Sequence, residues 1–210
     1  MREKILEGRN IMLISCGFSS LVVDTLYKQA VEENAAVACF YFDFATKEDQ
    51  SPAAVLGSVL RQVVSGLDEV PEGIVETFRN RGRVVGCQEL AISEIVGLLR
   101  DITSTRPTFI CIDALDECPL RHQEKLLDSL NQILQSRSGT RLFMTGKSDI
   151  VSEVVKHLGG RAATRSVIPI KNDIITFFRV KLGEDRLPDA MDKSLEEEII
   201  RYISVQVPEM

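Results

Sequence analysis

The chain has 210 residues, 44% of them apolar and 27% charged, and a net charge of −6. That balance excludes a disordered chain, and no dominant Lys/Arg cluster supplies the electrostatic footprint of nucleic-acid binding. No apolar run approaches the ~18 residues of a membrane helix, and the start Met1-Arg2-Glu3-Lys4 lacks the apolar stretch of a signal peptide. Cysteines 16, 39, 87, 111 and 118 are widely spaced, odd in number and without a CxxC pair. Zinc and disulfide frameworks are therefore not expected, Cys39 and Cys111 read as small hydrophobes, and a reducing, cytoplasmic setting is.

In chain order, the run 11–15 (Ile-Met-Leu-Ile-Ser) predicts a buried strand, stopped by Cys16-Gly17. Ser19 or Ser20 can cap a helix over 21–33. Residues 36–44 are β-branched and aromatic, a second strand. Ser51-Pro52 opens a helix with the stripe Val55, Val59, Leu60 and Val63. Pro71 opens a short helical stretch, and 79–87 reads as a loop with Arg79, Arg81 and Arg83 as a local basic patch. A helix over 89–102, a strand over 108–113, a helix over 121–135 and a strand over 141–145 follow. Residues 149–158 are helical and end at Gly159-Gly160. Residues 166–170 predict a fifth strand. Asn172 or Asp173 caps a helix to about 182, and Ser194 with Glu197 predicts a capping box for a last helix to about 205. The alternation predicts an α/β fold of three layers, with about five mostly parallel strands and helices on both faces.

In such sheets ligands bind beyond the carboxyl ends of the strands. Asp113 stands where the apolar strand 109–113 meets its loop, and Asp116 and Glu117 follow at once. Like charges crowded there are costly, and a Mg²⁺ would balance them. Asp113 would hold the metal, and Asp116 or Glu117 would orient an attacking water. The alternative is a solvated acidic loop.

The stretch Ile112-Asp113-Ala114-Leu115-Asp116-Glu117-Cys118, with the helix after it, resembles the Walker B region of fungal NACHT-type NTPases of the STAND signalling group, whose N-terminal module is also labelled nephrocystin-type. Residues 38–44 with Gln50-Ser51-Pro52, the helix 56–62, the strand 142–145, Asp173-Ile174 with Phe177, and 207–210 resemble the family elsewhere. The likeness implies a P-loop-NTPase-like core over 1–170 and the start of a helical extension over 171–210. It also implies Mg²⁺ with ATP or GTP as cofactors, protein partners or self-association as the mode of action, and a parent protein of which this chain reads as one piece.

One part of the pattern is missing. A phosphate loop needs G-x-x-x-x-G-K-[ST] between the first strand and helix. Here Ser15-Cys16-Gly17-Phe18-Ser19-Ser20 stands in that place, about seven residues short of the family pattern and without its Lys. Gly17 is what is left of the loop. Gly146-Lys147-Ser148 resembles the tail of such a motif, but Arg141 stands where its first glycine would be, and it follows the fourth strand. Lys147 stands in place of the family's arginine there, keeping the charge but not the bidentate fork. The sequence therefore predicts a degenerate module with poor nucleotide binding; the alternative is an active NTPase whose loop was lost by truncation. His122, at a helix start, and His157, near a helix end, have no nucleophile pattern beside them. Tyr41 and Phe42 read as strand residues, and Glu196-Glu197-Glu198 as a solvated first turn.

Overall fold

The computed structural model describes residues 10–14, 19–43, 45, 50–67, 69–81, 90–135, 139–166, 172, 175–176, 179–180 and 193–206. The chain divides into two compact units, Met1–Ser166 and Val167–Met210. The first contains β1 (Asn10–Ile14), α1 (Ser19–Glu33), β2 (Ala36–Tyr41), α2 (Pro52–Ser65), α3 (Glu72–Arg81), α4 (Ile92–Thr105), β3 (Thr108–Asp113), α5 (Leu120–Gln135), β4 (Thr140–Gly146), α6 (Val151–Leu158) and β5 (Ala162–Ser166). The second contains α7 (Lys193–Gln206). Asn172, Ile175, Thr176, Arg179 and Val180 are also helical.

All five strands are parallel, in the order β2-β3-β4-β1-β5. Parallel strands need crossovers, and with right-handed crossovers this order sends α1 to one face and α2, α4, α5 and α6 to the other. The three-layer α/β expectation is met. Even-numbered strand residues face the larger helical layer: Ala38, Ile110, Ile112, Leu142 and Met144 pack with Val55, Leu56, Leu99, Leu126, Leu127 and Ile133 in one apolar core. Odd-numbered residues, including Val37, Phe109, Cys111 and Phe143, face α1, which buries Val23, Leu26 and Ala30.

Local chemistry sets the helix starts. The Ser51 hydroxyl accepts the Ala54 N–H at 3.2 Å and Pro52 takes the first turn, so α2 begins as predicted. For α4, Glu94 reaches back to accept the Ala91 N–H at 2.8 Å, and the helix starts at Ile92 rather than 89. It ends at Thr105, because Pro107 forces Arg106 into extended backbone. The Arg106 guanidinium then donates to the Asn34 carbonyl (3.0 Å), the Asn34 side chain (3.2 Å), the Ala35 carbonyl (3.4 Å) and the Gly66 carbonyl. One side chain thereby satisfies orphan carbonyls where α1 and α2 end.

The fifth described strand begins earlier than the sequence placed it. It runs 162–166, after a single 3-10 turn over Gly159–Arg161, and pairs with β1 from Asn10↔Ala162 to Ile14↔Ser166. The apolar run 167–170 drew the expectation, and it lies outside the described residues. Likewise α7 begins at Lys193, so Ser194 is its second residue and not the cap of a box with Glu197.

β2 is an edge strand whose outward backbone groups are partly covered. Gln62 accepts the Cys39 N–H at 2.9 Å and donates to its carbonyl at 2.8 Å. Gln50 does the same at Asp43, two residues beyond the strand, at 3.2 and 3.1 Å. Two glutamine amides thus stand in for a neighbouring strand, which is how exposed edges are kept from pairing with other chains.

Candidate functional site

The carboxyl ends of β1, β4 and β3 lie level: Leu13 pairs with Thr145, Ile14 with Gly146 and Ile112 with Met144. The acid turn sits against the end of β4. Asp113, half-buried, accepts a hydrogen bond from the Thr145 hydroxyl, and that hydroxyl accepts the Ala114 N–H at 3.0 Å. Thr145 is therefore the hinge pin of the turn, joining the acid and the backbone after it. Ala114 has φ 52° and ψ 48°, a left-handed conformation that is uncommon for a residue with a Cβ. It turns the chain into a single 3-10 turn over Leu115–Glu117, anchored by the fully buried Leu115.

That turn carries Asp116 onto the end of β4. Its side chain is 8% exposed, one oxygen accepts the Lys147 N–H at 3.1 Å, and the other lies 3.0 Å from the Lys147 ammonium. A close approach makes this possible. A Cβ on Gly146 would sit 3.0 Å from the Ile150 methyl and 3.3 Å from the Asp116 carboxylate, so only glycine fits there without a shift. Glu117 is half-buried in the same turn. Tyr41, paired in register with Asp113, is 47% exposed, and its hydroxyl is pushed above its usual range by burial, with Cys39 and Asp113 adding to the rise.

The structure thus brings Asp113, Asp116, Glu117 and Lys147 to one place. Gly17 lies outside the described residues, as do Cys16 and Phe18. Four positions, 15–18, separate the end of β1 from the start of α1. Among the described residues no three His, Cys, Asp or Glu side chains converge as a metal-ligand set. A Mg²⁺ on Asp113 would have to complete its octahedron from water and phosphate oxygens. The chain between β1 and α1 has no lysine to bring those phosphates. The residues present do not fit a metal–nucleotide pair.

Comparison with known proteins bears on this arrangement. The nephrocystin 3 N-terminal family matches residues 17–147, more than half of the chain. The chain belongs to that family. Among solved structures, the Aeropyrum pernix Orc1 protein, solved in complex with DNA, is similar at 16% identity and TM-score 0.51, over 84% of this chain and 44% of its own. Cdc6p from Pyrobaculum aerophilum is similar at 13% identity and TM-score 0.51, over 81% of this chain and 42% of its own. The chain spans less than half the length of these proteins, and at such identities they show the fold alone: a P-loop-NTPase-like α/β domain. No curated protein sequence matches.

The nephrocystin-type domain contains contacts that sequence reasoning missed. The Thr145–Asp113 and Lys147–Asp116 contacts join positions 32 and 31 apart, and only strand register reveals them. His157, read as lying near a helix end, is 7% exposed there. Its Nδ1 lies 2.7 Å from the Asp128 carboxylate, and its Nε2 lies 3.4 Å from Glu153 without hydrogen-bond alignment. It clasps α6 to α5. His122 accepts a hydrogen bond from Arg121 at 3.3 Å, and Arg79 lies 3.5 Å from Glu72. Phe42, one residue beyond the end of β2, is buried in the core. No helix of the described residues is long and apolar enough to cross a membrane.

Proposed function

We propose that this nephrocystin-type domain is a degenerate nucleotide-binding module of a STAND-type signalling protein of the fungal NACHT kind, acting through protein partners or self-association in the cytoplasm. Residues 1–170 form its core and 171–210 begin a helical extension. One observation carries the reading: the chain between β1 and α1 has neither the lysine nor the paired glycines of a phosphate loop. The backbone cradle and that lysine supply several charge-assisted hydrogen bonds of about 1.5–3 kcal/mol each. Without them ATP or GTP with Mg²⁺ binds orders of magnitude more weakly. Asp113 then keeps the place of a metal ligand, and Asp116 and Glu117 the place of catalytic acids, without a substrate to act on. Gly17 and Lys147 are remnants of the cofactor side. The contact between Lys147 and Asp116 supports this, because it closes a lysine on an acid that a working site would aim at water.

Titration of the purified protein with ATP or GTP plus Mg²⁺ tests the reading by thermal shift and calorimetry. The expected result is no shift at millimolar nucleotide. A site filled at 100 times its Kd would add about 2.7 kcal/mol of stability, so micromolar affinity would be plain, and it would overturn the degenerate reading in favour of an active NTPase switch. Inserting Gly-Lys-Pro-Gly-Ala-Gly-Lys-Thr between Ser15 and α1 should restore binding. Failure of a folded graft to bind would mean that the acid turn is not a retained half-site.

A further inference from the structure

The parallel ladder pairs Cys39 of β2 directly with Cys111 of β3. Register partners on neighbouring strands project from the same face, here the α1 face. Neighbouring strands lie about 4.7–4.9 Å apart, within the roughly 4.4–6.8 Å Cα separation of disulfides. Cys39 and Cys111 are therefore neighbours across the ladder, on the face that α1 covers. Gln62 holds both backbone groups of Cys39, which fixes the register at this pair.

The pair is asymmetric in a useful way. Cys39 lies on an edge strand and is partly exposed, whereas Cys111 is 3% exposed. An oxidant from solution meets Cys39 first. That is the division of labour between an attacking thiolate and a resolving thiol.

We propose that Cys39 and Cys111 are a modification site, an oxidisable dithiol that closes reversibly to a disulfide beneath Tyr41 and Asp113. With glutathione disulfide as oxidant, the Cys39 thiolate attacks one sulfur and expels one glutathione thiolate, leaving a mixed disulfide on Cys39. Cys111 gives up its proton and attacks the Cys39 sulfur, expelling the second glutathione. The protein loses two hydrogens and the two glutathiones gain them. Cys39 is partly exposed, so the disulfide stays within reach of reductant, as labile regulatory disulfides do. Because Cys111 is two residues before Asp113 and Cys39 two before Tyr41 on the same face, closure draws on the strands that carry the acid turn.

The test uses the whole reduced chain. It is incubated with glutathione disulfide, blocked with N-ethylmaleimide, digested without reductant and read by mass spectrometry. The expected product joins the Cys39 and Cys111 peptides, is two hydrogens lighter than the reduced pair and is released by dithiothreitol. Cys118, buried like Cys111 and outside the strands, should stay unmodified and reports that the fold is intact. Cys111→Ser should stop the reaction at glutathione on Cys39, and Cys39→Ser should abolish it. Persistent glutathione on wild-type Cys39 without the joined peptide would overturn the proposal. So would a bond to Cys16 or Cys87, or an unreacted Cys39. Each is read on the wild-type chain, so a variant that fails to fold does not shelter the idea.

Discussion

The two faces of the sheet are made by the same strands and differ in almost everything else. Toward α2, α4, α5 and α6 the strands present Ala38, Ile110, Ile112, Leu142 and Met144, each 2% exposed or less. Toward α1 the same strands present Cys39, Tyr41, Cys111, Asp113, Arg141 and Thr145. The apolar members of that face are Val37, Phe109 and Phe143, and Arg141 lies over the Phe109 ring at 5.2 Å and 3.4 Å from Glu33. One face stabilises by removing apolar surface from water, while the other carries every thiol and acid of β2 and β3. Period-two alternation thus separates stability from chemistry within single strands. A change on one face should therefore be felt as stability, and a change on the other as reactivity or geometry.

The largest effect expected is on the first face. Ile112 is fully buried in the core of the larger helical layer, so Ile112→Ala should cost about 2–5 kcal/mol in urea unfolding, through lost transfer energy and the cavity left behind. Its neighbour in sequence, Asp113, faces the other way. If Asp113→Asn destabilised the domain as much as Ile112→Ala, the division of labour would be wrong.

This alternation is also what made the fold legible. The runs 36–44, 109–113 and 141–145 are apolar because both faces are covered, and they were placed to within a few residues. The strand 162–166 was not, because Ala-Ala-Thr-Arg-Ser has no pattern of its own and is a strand only through its pairing with β1. The acids were legible as a strand end. Their engagement by Thr145 and Lys147 was not, and neither was the cysteine pair, whose members are far apart in sequence and meet only through register.

Next in size is the turn between the acid and β4. Gly146→Ala puts a methyl 3.0 Å from Ile150 and 3.3 Å from Asp116. Overpacking of this kind costs about 1–3 kcal/mol, and relief should come from the acid turn, since Ile150 is anchored in the core. The check is a stability loss accompanied by altered reactivity of Cys39 toward a maleimide. A loss with no change in Cys39 would mean the acid turn and the thiol pair are uncoupled. A smaller effect, of about 1 kcal/mol, is expected for Gln62→Ala, which removes two hydrogen bonds at Cys39. The distinctive readout is association. An uncovered β2 edge should raise concentration-dependent light scattering, and if it does not, Gln50 and the rest of α2 suffice to guard the edge.

The smallest effect has the opposite sign. Ala114 sits in left-handed backbone at the junction between Asp113 and the 3-10 turn, where a Cβ is strained and glycine is not. Ala114→Gly removes the strain but gives the unfolded chain more freedom to lose, and the two nearly cancel. The net gain should be a few tenths of a kcal/mol up to about 1 kcal/mol, visible as a small rise in the urea midpoint. A clear loss would mean that the Ala114 methyl, packed against the core, contributes more than its backbone strain costs. The acid turn would then belong to the stabilising face after all, and the boundary between the two faces would have to be drawn one residue later, after Ala114.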